Sequence, residues 1–426
     1  MLSAQQVIDA IHGSYQTGSK NGFHHVLALL AHMGVGMKTP LVHIAGTNGK
    51  GSTCAMLSSV LQAAGCRVGL YTSPFLQHYQ ERIRLNGVPL TDRLMVKYGN
   101  PLVAAAEALR AQNEYVTPFE MGTALALAAF DGEDCDIAII EVGMGGRLDP
   151  TNVIRPIACG IAAIGLDHMG FLGDTLEAIA VEKAGIIKPG VPVICYPAQE
   201  SVRRVFAEAA EKQRAPLIQL EESAILDAQC DLHGSTVTYQ LTERWELLRI
   251  GLPGQYQQYN AMLALALVEE LRRQGYAIPE SAVRQGLADV IWPARLEWAG
   301  NVLIDGAHNP QGVQSLVQYV DRFLSGRKRV LLSGVLADKL QPGMLRQMVH
   351  ISREIVTVTP DTPRAMSAVE YAARLNDCGG HATPAATIAE GLALARQRAG
   401  EDGLVIAAGS LYFAGALRTE MQLTWQ

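Results

Sequence analysis

No apolar run in the 426 residues reaches the roughly 18–20 positions that a membrane-spanning helix needs. The opening stretch, MLSAQQVIDAIHGSYQTGSK, lacks the basic-then-apolar order of a secretory leader, and the ending QLTWQ carries no lipidation motif. There is no basic run either. Lys and Arg together number 35 against 41 Asp and Glu, a formal net charge of −6, which argues against general nucleic-acid binding. Cysteine is sparse: Cys54, Cys66, Cys135, Cys159, Cys195, Cys230 and Cys378 are scattered, odd in number and form no CxxC pair. That pattern argues against a disulfide framework or a zinc ribbon and for free thiols in a reducing compartment. No low-complexity tract and no fixed-period repeat occurs. The expectation is a cytoplasmic monomer with small-molecule partners, engaging neither membrane nor nucleic acid.

What is present is ample core material. Hydrophobic residues make up 49% and charged ones 18%, and single cores seldom grow past about 250–300 residues, so two domains are expected. Two helical pieces, around Ala4–Ile11 and Phe23–Met33, precede a strand-turn-helix rhythm. Leu41–Ala45, Arg67–Tyr71, Asp136–Val142, Pro156–Leu166 and Val191–Tyr196 read as buried strands. Helices are expected at Thr53–Ala64, Asp92–Ala111, Glu120–Phe130 and Thr175–Ala184, and a polar loop at Ser73–Gly87. Non-alternating strands interleaved with helices predict a mostly parallel α/β sheet. The segment Leu217–Ile250 alternates polar and apolar residues and suggests hairpins at one sheet edge. After Trp292-Pro293 the alternation restarts with Val302–Asp305, a helix from Pro310, Val330–Ser333, Ile355–Thr359 and Leu404–Ala408. The division therefore falls between residues 1–293 and 294–426.

Gly46-Thr47-Asn48-Gly49-Lys50-Gly51-Ser52, between a strand and a helix, is the strongest chemical signal. Glycines let the chain curl around an anion, the helix amino terminus favours negative charge, and Lys50 adds a mobile cation. The spacing differs from GxxxxGK[ST], with only two residues between Gly46 and Gly49. Glu141 closes DIAIIEV, where a carboxylate can face a metal on nucleotide phosphates or pair with Arg147. Asp167-His168 ends another strand; ligation and a structural role are both open. Lys183 has the spacing of an ordinary surface lysine. Asp305-Gly306-Ala307-His308-Asn309-Pro310 again joins a strand to a helix, so Asp305 can hold a ribose hydroxyl or order a turn. Arg295 suits a phosphate contact or a salt bridge.

The runs HIAGTNGKGST, YTSPFLQHYQERIRLNG, TPFEMGTALAL, EVGMGGRLDPTN, GLDHMGFLGDTLEAIAVEKAGIIKPG, PGQYQQYNA, WPARLEW, IDGAHNPQG and AAGSLYFAG follow one another from near residue 40 to near residue 415. As an ordered set they resemble the folylpolyglutamate synthase and dihydrofolate synthase family, a branch of the Mur ligase superfamily. The resemblance implies an α/β fold with an N-terminal P-loop-type, mostly parallel sheet domain and a smaller C-terminal Rossmann-like domain. It implies that Gly46, Thr47, Asn48, Gly49, Lys50, Gly51 and Ser52 bind ATP together with Asn260, Arg295 and Asp305. Ser73, Glu141 and His168 would hold magnesium. Lys183 would be carbamylated and ligate a second magnesium, and Lys50, Lys183 and His308 would serve catalysis. The folate-type substrate would meet Thr117, Pro118, Phe119, Glu120, Leu148, Asp149 and Pro150, and Ser410 would help place glutamate. Pro150 stands where the family commonly has alanine, which removes an N–H donor on the substrate side.

The implied reaction is ATP-dependent ligation of L-glutamate to a folate-type carboxylate through an acyl phosphate. Retention of both TPFE and RLDPTN points to two activities, dihydrofolate synthase and folylpolyglutamate synthase. The alternatives are a single folylpolyglutamate synthase, another Mur-type amino-acid ligase, and a non-catalytic nucleotide-binding module.

Overall fold

The computed structural model describes residues 1–14, 23–167 and 169–424. Two compact units emerge, one of residues 1–227, 238–248 and 259–290, the other of 228–237, 249–258 and 291–426.

The first unit is built on strands β1 (Leu41–Ala45), β2 (Val68–Tyr71), β3 (Ile83–Leu85), β4 (Val88–Pro89), β5 (Ile137–Glu141), β6 (Ala158–Ile161), β7 (Val193–Cys195) and β8 (Leu217–Gln219), in the order β4-β3-β2-β5-β1-β6-β7-β8. From β2 to β8 every pairing is parallel, with Ile44 opposite Glu141 and Ala45 opposite Ile161. The central strands are apolar throughout because both sheet faces are covered. On one side the helices Asp92–Arg110 and Pro118–Gly132, with Ala4–His12 and His24–His32, form a core around Tyr71, Met95, Leu102 and Phe130. On the other, Leu176–Ala184 and Glu200–Gln213 pack Ile186, Val193 and Phe206. Helix starts obey local chemistry. Ser3 and Gln6 form a capping box, as do Thr117 and Glu120, the latter with Pro118 at the first helical position.

The second unit carries β12 (Glu297–Ala299), β13 (Val302–Ile304), β14 (Arg329–Ser333), β15 (Glu354–Thr357), β16 (His381–Pro384) and β17 (Leu404–Ala408), in the order β12-β13-β17-β14-β15-β16. All pairings are parallel except β12 with β13. Its core gathers Leu303, Leu316, Leu331, Met348, Tyr371 and Ile406.

Two expectations change. The Ser73–Gly87 segment is not wholly loop: it holds a 3-10 turn, Tyr79–Arg82, then β3, which extends the sheet with β4 across Asn86-Gly87, both at positive φ. Asn-Gly is the usual two-residue hairpin signal. In Leu217–Ile250, only β8 joins the main sheet, and it does so in parallel. The strands β9 (Ile225–Asp231), β10 (Gly234–Gln240) and β11 (Arg244–Ile250) form a separate sheet in the order β11-β10-β9. All seven cysteines are free thiols, and among the described residues no helix is long and apolar enough to cross a membrane.

Candidate active site

The chain must turn between β1 and the helix Lys50–Ala63 within four residues. Gly46 sits at φ +146°, where an added Cβ would lie 2.8 Å from the Ala162 Cβ; Gly49, at φ +88°, would put one 2.2 Å from Asn260 Oδ1. Glycine is required at both by backbone and by space. The amides of Thr47 and Asn48 donate to the Ala163 carbonyl at 2.7 and 3.3 Å, and Thr47 Oγ1 donates to the Gly165 carbonyl at 3.0 Å. The helix that follows begins at Lys50, so its amino terminus and first turn lie at this glycine-rich bend. The helix begins three residues before its expected start because Gly49 itself forms the N-cap. Asn260, buried in the helix Tyr256–Arg273, stands against this turn.

Two cations meet at one carbonyl. Lys50 Nζ donates to Gly46 O at 3.0 Å and to Thr47 O at 3.2 Å, while Lys183 Nζ donates to Gly46 O at 2.7 Å. Lys183 is not the surface lysine its spacing suggests, being only 4% exposed. Burial, then the Lys50 charge, pushes its ammonium down to about 7, against the opposing pull of Asp167 and Asp149.

Backbone apposition delivers Lys183 to this place. A Cβ at Gly146 would lie 2.7 Å from Glu182 O, and one at Gly185 would lie 2.4 Å from Arg147 Cα. The Arg147 amide donates to Glu182 O at 2.8 Å, its guanidinium pairs with the Glu182 carboxylate, and Asn152 Nδ2 donates to the carbonyls of Arg147 and Gly185. Arg147 thus pairs with Glu182, which leaves Glu141 to other partners. Asp149 organises the same loop: its carboxylate accepts from the amides of Met144 and Thr151 and from Thr151 Oγ1. His43 on β1 completes this underside through a 2.9 Å hydrogen bond between Nε2 and Thr151 Oγ1, and burial beside Lys188 holds its pKa down to about 3. Neither His43 nor Asn152 is singled out by sequence reasoning; a histidine inside an otherwise apolar strand was the available signal.

Glu141, buried at the end of β5, accepts from the Ser73 amide at 3.0 Å. A buried carboxylate held at the backbone of a serine offers the hard-oxygen chemistry that fits magnesium. His168 lies outside the described residues. Among those described, no three His, Cys, Asp or Glu side chains cluster as a metal cage.

On the substrate side, Thr117 and Glu120 are bound to each other's backbone, and Glu120 also reaches His25 Nδ1 at 3.2 Å. Pro118 and Phe119 are half-buried; Phe119 packs on Gly143 and lies 6.0 Å from the Tyr71 ring. Leu148, like Met144, is exposed, and Pro150 opens a 3-10 turn capped by Asp149. Sequence reading passed over a neighbouring cluster: the Arg82 guanidinium lies 5.4 Å from the Phe75 ring centre and 5.6 Å from that of Tyr79, with His12 edge-on to Tyr79.

In the second unit Asp305 ties down its own turn, accepting from the amides of Leu296 and Ala307 at 2.9 and 2.8 Å. Burial raises its pKa while Arg295 and those amides oppose the rise. Arg295 NH1 donates to Ala294 O and lies close to Gly306; its neighbours Ala294 and Leu296 both hold positive φ, a strained arrangement. His308 Nδ1 is 2.8 Å from Gly306 O, and Asn309 caps the helix Pro310–Phe323. Ser410 is buried, capping Leu411–Glu420 and donating to Gly334 O.

Comparison with known proteins matches residues 44–268 to the Mur ligase middle domain and residues 294–411 to the Mur ligase glutamate ligase domain. The dihydrofolate synthase/folylpolyglutamate synthase of Bacillus subtilis is 36% identical over 425 residues, covering 97% of each chain. The Mycobacterium tuberculosis folylpolyglutamate synthase solved with ADP superposes with a TM-score of 0.89 at 31% identity, covering 98% of each chain. The apo Lacticaseibacillus casei enzyme gives 0.87 at 31% identity over 99% of this chain and 100% of its own.

Proposed function

The chain belongs to the folylpolyglutamate synthase and dihydrofolate synthase branch of the Mur ligases, and on that premise we propose that it uses ATP to join L-glutamate to folate-type carboxylates. The observation that carries this reading is the convergence of Lys50 and Lys183 on the Gly46 carbonyl, at a helix amino terminus braced by Asn260.

A carboxylate resists attack by an amine, so it must first be activated. The γ-phosphoryl group passes from ATP to the acceptor's carboxylate oxygen, giving an acyl phosphate and ADP. Lys50 and the first-turn amides neutralise charge on the phosphoryl oxygens as it moves. The uncharged amine of glutamate then attacks the acyl carbon, the tetrahedral intermediate collapses with loss of phosphate, and the amine proton is released. Gly46, Thr47, Asn48, Gly49, Gly51 and Ser52 shape the phosphate seat, Asn260, Arg295 and Asp305 serve the nucleotide, and His308 serves catalysis. Ser73, Glu141 and His168 would hold magnesium, which supplies further charge neutralisation when bound.

Lys183 takes a second role in this reading. Its neutral amine adds to carbon dioxide and loses a proton, turning a buried cation into a carbamate that serves a second magnesium; burial beside Lys50 favours the neutral amine. Thr117, Pro118, Phe119, Glu120, Leu148, Asp149 and Pro150 form the acceptor side, with Ser410 towards glutamate. The glutamate-ligase half is residues 294–426, and the enzyme works as a monomer.

Both dihydropteroate and a monoglutamyl reduced folate are expected to be acceptors. Supplying each separately with ATP, magnesium and labelled glutamate, and following both label incorporation and phosphate release, tests this. Incorporation with the folate alone would leave a single-activity folylpolyglutamate synthase, a reading Pro150 favours because the 3-10 turn it opens lacks that N–H. Absence of glutamate-dependent phosphate release with either acceptor would remove the ligase reading altogether.

A further inference from the structure

Asp305, His308 and Ser410 sit at or beyond the carboxyl ends of β13 and β17. A different feature occupies the opposite end of the same sheet, where β14 starts at Arg329 and β15 at Glu354. A cavity of about 510 Å³ there is lined by Arg327, Arg329, Arg346, His350, Ser352 and Arg353, together with Val349 and Ile351. Four guanidiniums share one cavity in a chain whose net charge is −6.

Among the described residues none of the four pairs with a carboxylate. The nearby acids are held by other side chains, Asp321 by His350 of the same lining at 3.0 Å and Glu354 by His381 at 3.0 Å and Arg398 at 3.8 Å. Structural duty accounts for Arg329, whose Nε donates to Ile351 O at 2.5 Å and NH1 to Leu324 O at 2.8 Å, closing two helix carboxyl ends. Among the described residues, Arg327 reaches only the Asp402 carbonyl, at 3.4 Å. Arg346 and Arg353 are exposed and, among the described residues, make no side-chain hydrogen bond or ion pair. Guanidiniums gathered with no carboxylate paired to any of them repel one another, and an anion lowers that cost.

The lining also says what sort of anion fits. Its charges are spread over the helix Pro342–Ile351 and two strand starts rather than focused on one point. A single phosphate can meet only part of such a spread. A chain of carboxylates separated by methylene groups presents charges spaced in the same way. We propose that this cavity is an anion site for the oligo-γ-glutamyl tail of the product, a site separate from the catalytic face. The identity of the tail rests on the ligase reading above; the anion site does not.

The test uses the full chain and a dye-labelled tetra-γ-glutamate peptide carrying no pteridine, followed by fluorescence anisotropy. Saturable binding that weakens with salt is expected. The double substitution Arg346→Ala/Arg353→Ala should weaken it about tenfold, since each exposed ion pair is worth several-fold, and Arg346→Lys/Arg353→Lys should recover part of the loss. Both arginines are exposed, and an unchanged thermal midpoint confirms that the variants fold. Tripolyphosphate serves as the competing source of oxyanions: if it binds through these arginines and the peptide does not, the tail assignment is overturned. Peptide binding undiminished in the double alanine variant overturns the site itself. Glutamate-dependent phosphate release from the wild-type protein reports on the ligase reading independently. Its absence alongside arginine-dependent peptide binding would remove the enzyme assignment and leave the anion site standing.

Discussion

Lys183 shows why some residues are legible in sequence and others are not. The glycine-rich turn proposed to hold phosphate lies within seven adjacent residues, so its strand-turn-helix form could be read directly from Gly46 to Ser52. The burial of Lys183 depends on Gly146 and Gly185, distant in sequence from the loop it reaches, and helix spacing alone describes a surface residue. If the lysine acts as a carbamate, Lys183→Ala should be inactive and partly recovered by added acetate, and intact-protein spectra taken under carbon dioxide should show that mass added at Lys183. Wild-type turnover by the alanine variant would sink the proposal. His43 offers a different test. Its folded pKa of about 3 lies below histidine's ordinary value of 6.5, so between these values the unfolded chain binds a proton that the folded one refuses. Stability is therefore intact above pH 6.5 and falls as pH drops towards 3, by about 1.4 kcal/mol per pH unit at most. Urea midpoints at pH 7, 6, 5 and 4 should show a shallower acid limb for His43→Gln than for the wild type; parallel limbs would mean that His43 does not set the slope.

At the level of elements, most strands with continuous apolar sequence were foreseen to within a residue or two, because burial on both faces leaves an unmistakable composition; the exception is Pro156–Leu166, whose strand is only Ala158–Ile161, so Asp167 follows it at a distance rather than closing it. The short edge strands β3, β4, β12 and β16 were not, since two to four residues at a sheet margin carry little pattern. The apposition of the Gly143–Asn152 loop with the helix Leu176–Ala184 is the most demanding piece of local packing beside the site. A methyl group at position 146 would meet the Glu182 carbonyl at 2.7 Å and Lys183 Cα at 3.0 Å, neither of which is the end of a flexible side chain. Gly146→Ala should therefore push loop and helix apart, costing about 1–3 kcal/mol in stability and displacing Lys183 from Gly46. Activity should fall further than the melting temperature alone explains. An active variant with an unchanged melting temperature would show that the apposition tolerates a methyl group.

For the whole molecule, the restart of strand-helix alternation after Pro293 was visible, but the recruitment of 228–237 and 249–258 into the second unit was not. It rests on packing: Leu232 and Tyr256 lie against the second unit's core, and Tyr319 donates to the Leu232 carbonyl at 2.7 Å. A fragment of residues 294–426 lacks both residues and that acceptor. By calorimetry it should melt at least about 5 °C below the corresponding transition of the full chain; an equal melting temperature would show that these segments add nothing. The strand order has a further consequence, one in time. β1 is hydrogen-bonded between β5 and β6, and the Thr47 amide rests on Ala163, so the phosphate loop has no frame until a stretch more than twice its own distance from the amino terminus has been made. At ribosomal speeds of about 5–20 residues per second that delay is on the order of ten seconds. Throughout it the uncovered edges of LVHIA stand open to other chains, which makes the nascent protein, rather than the finished one, the form most in need of a chaperone.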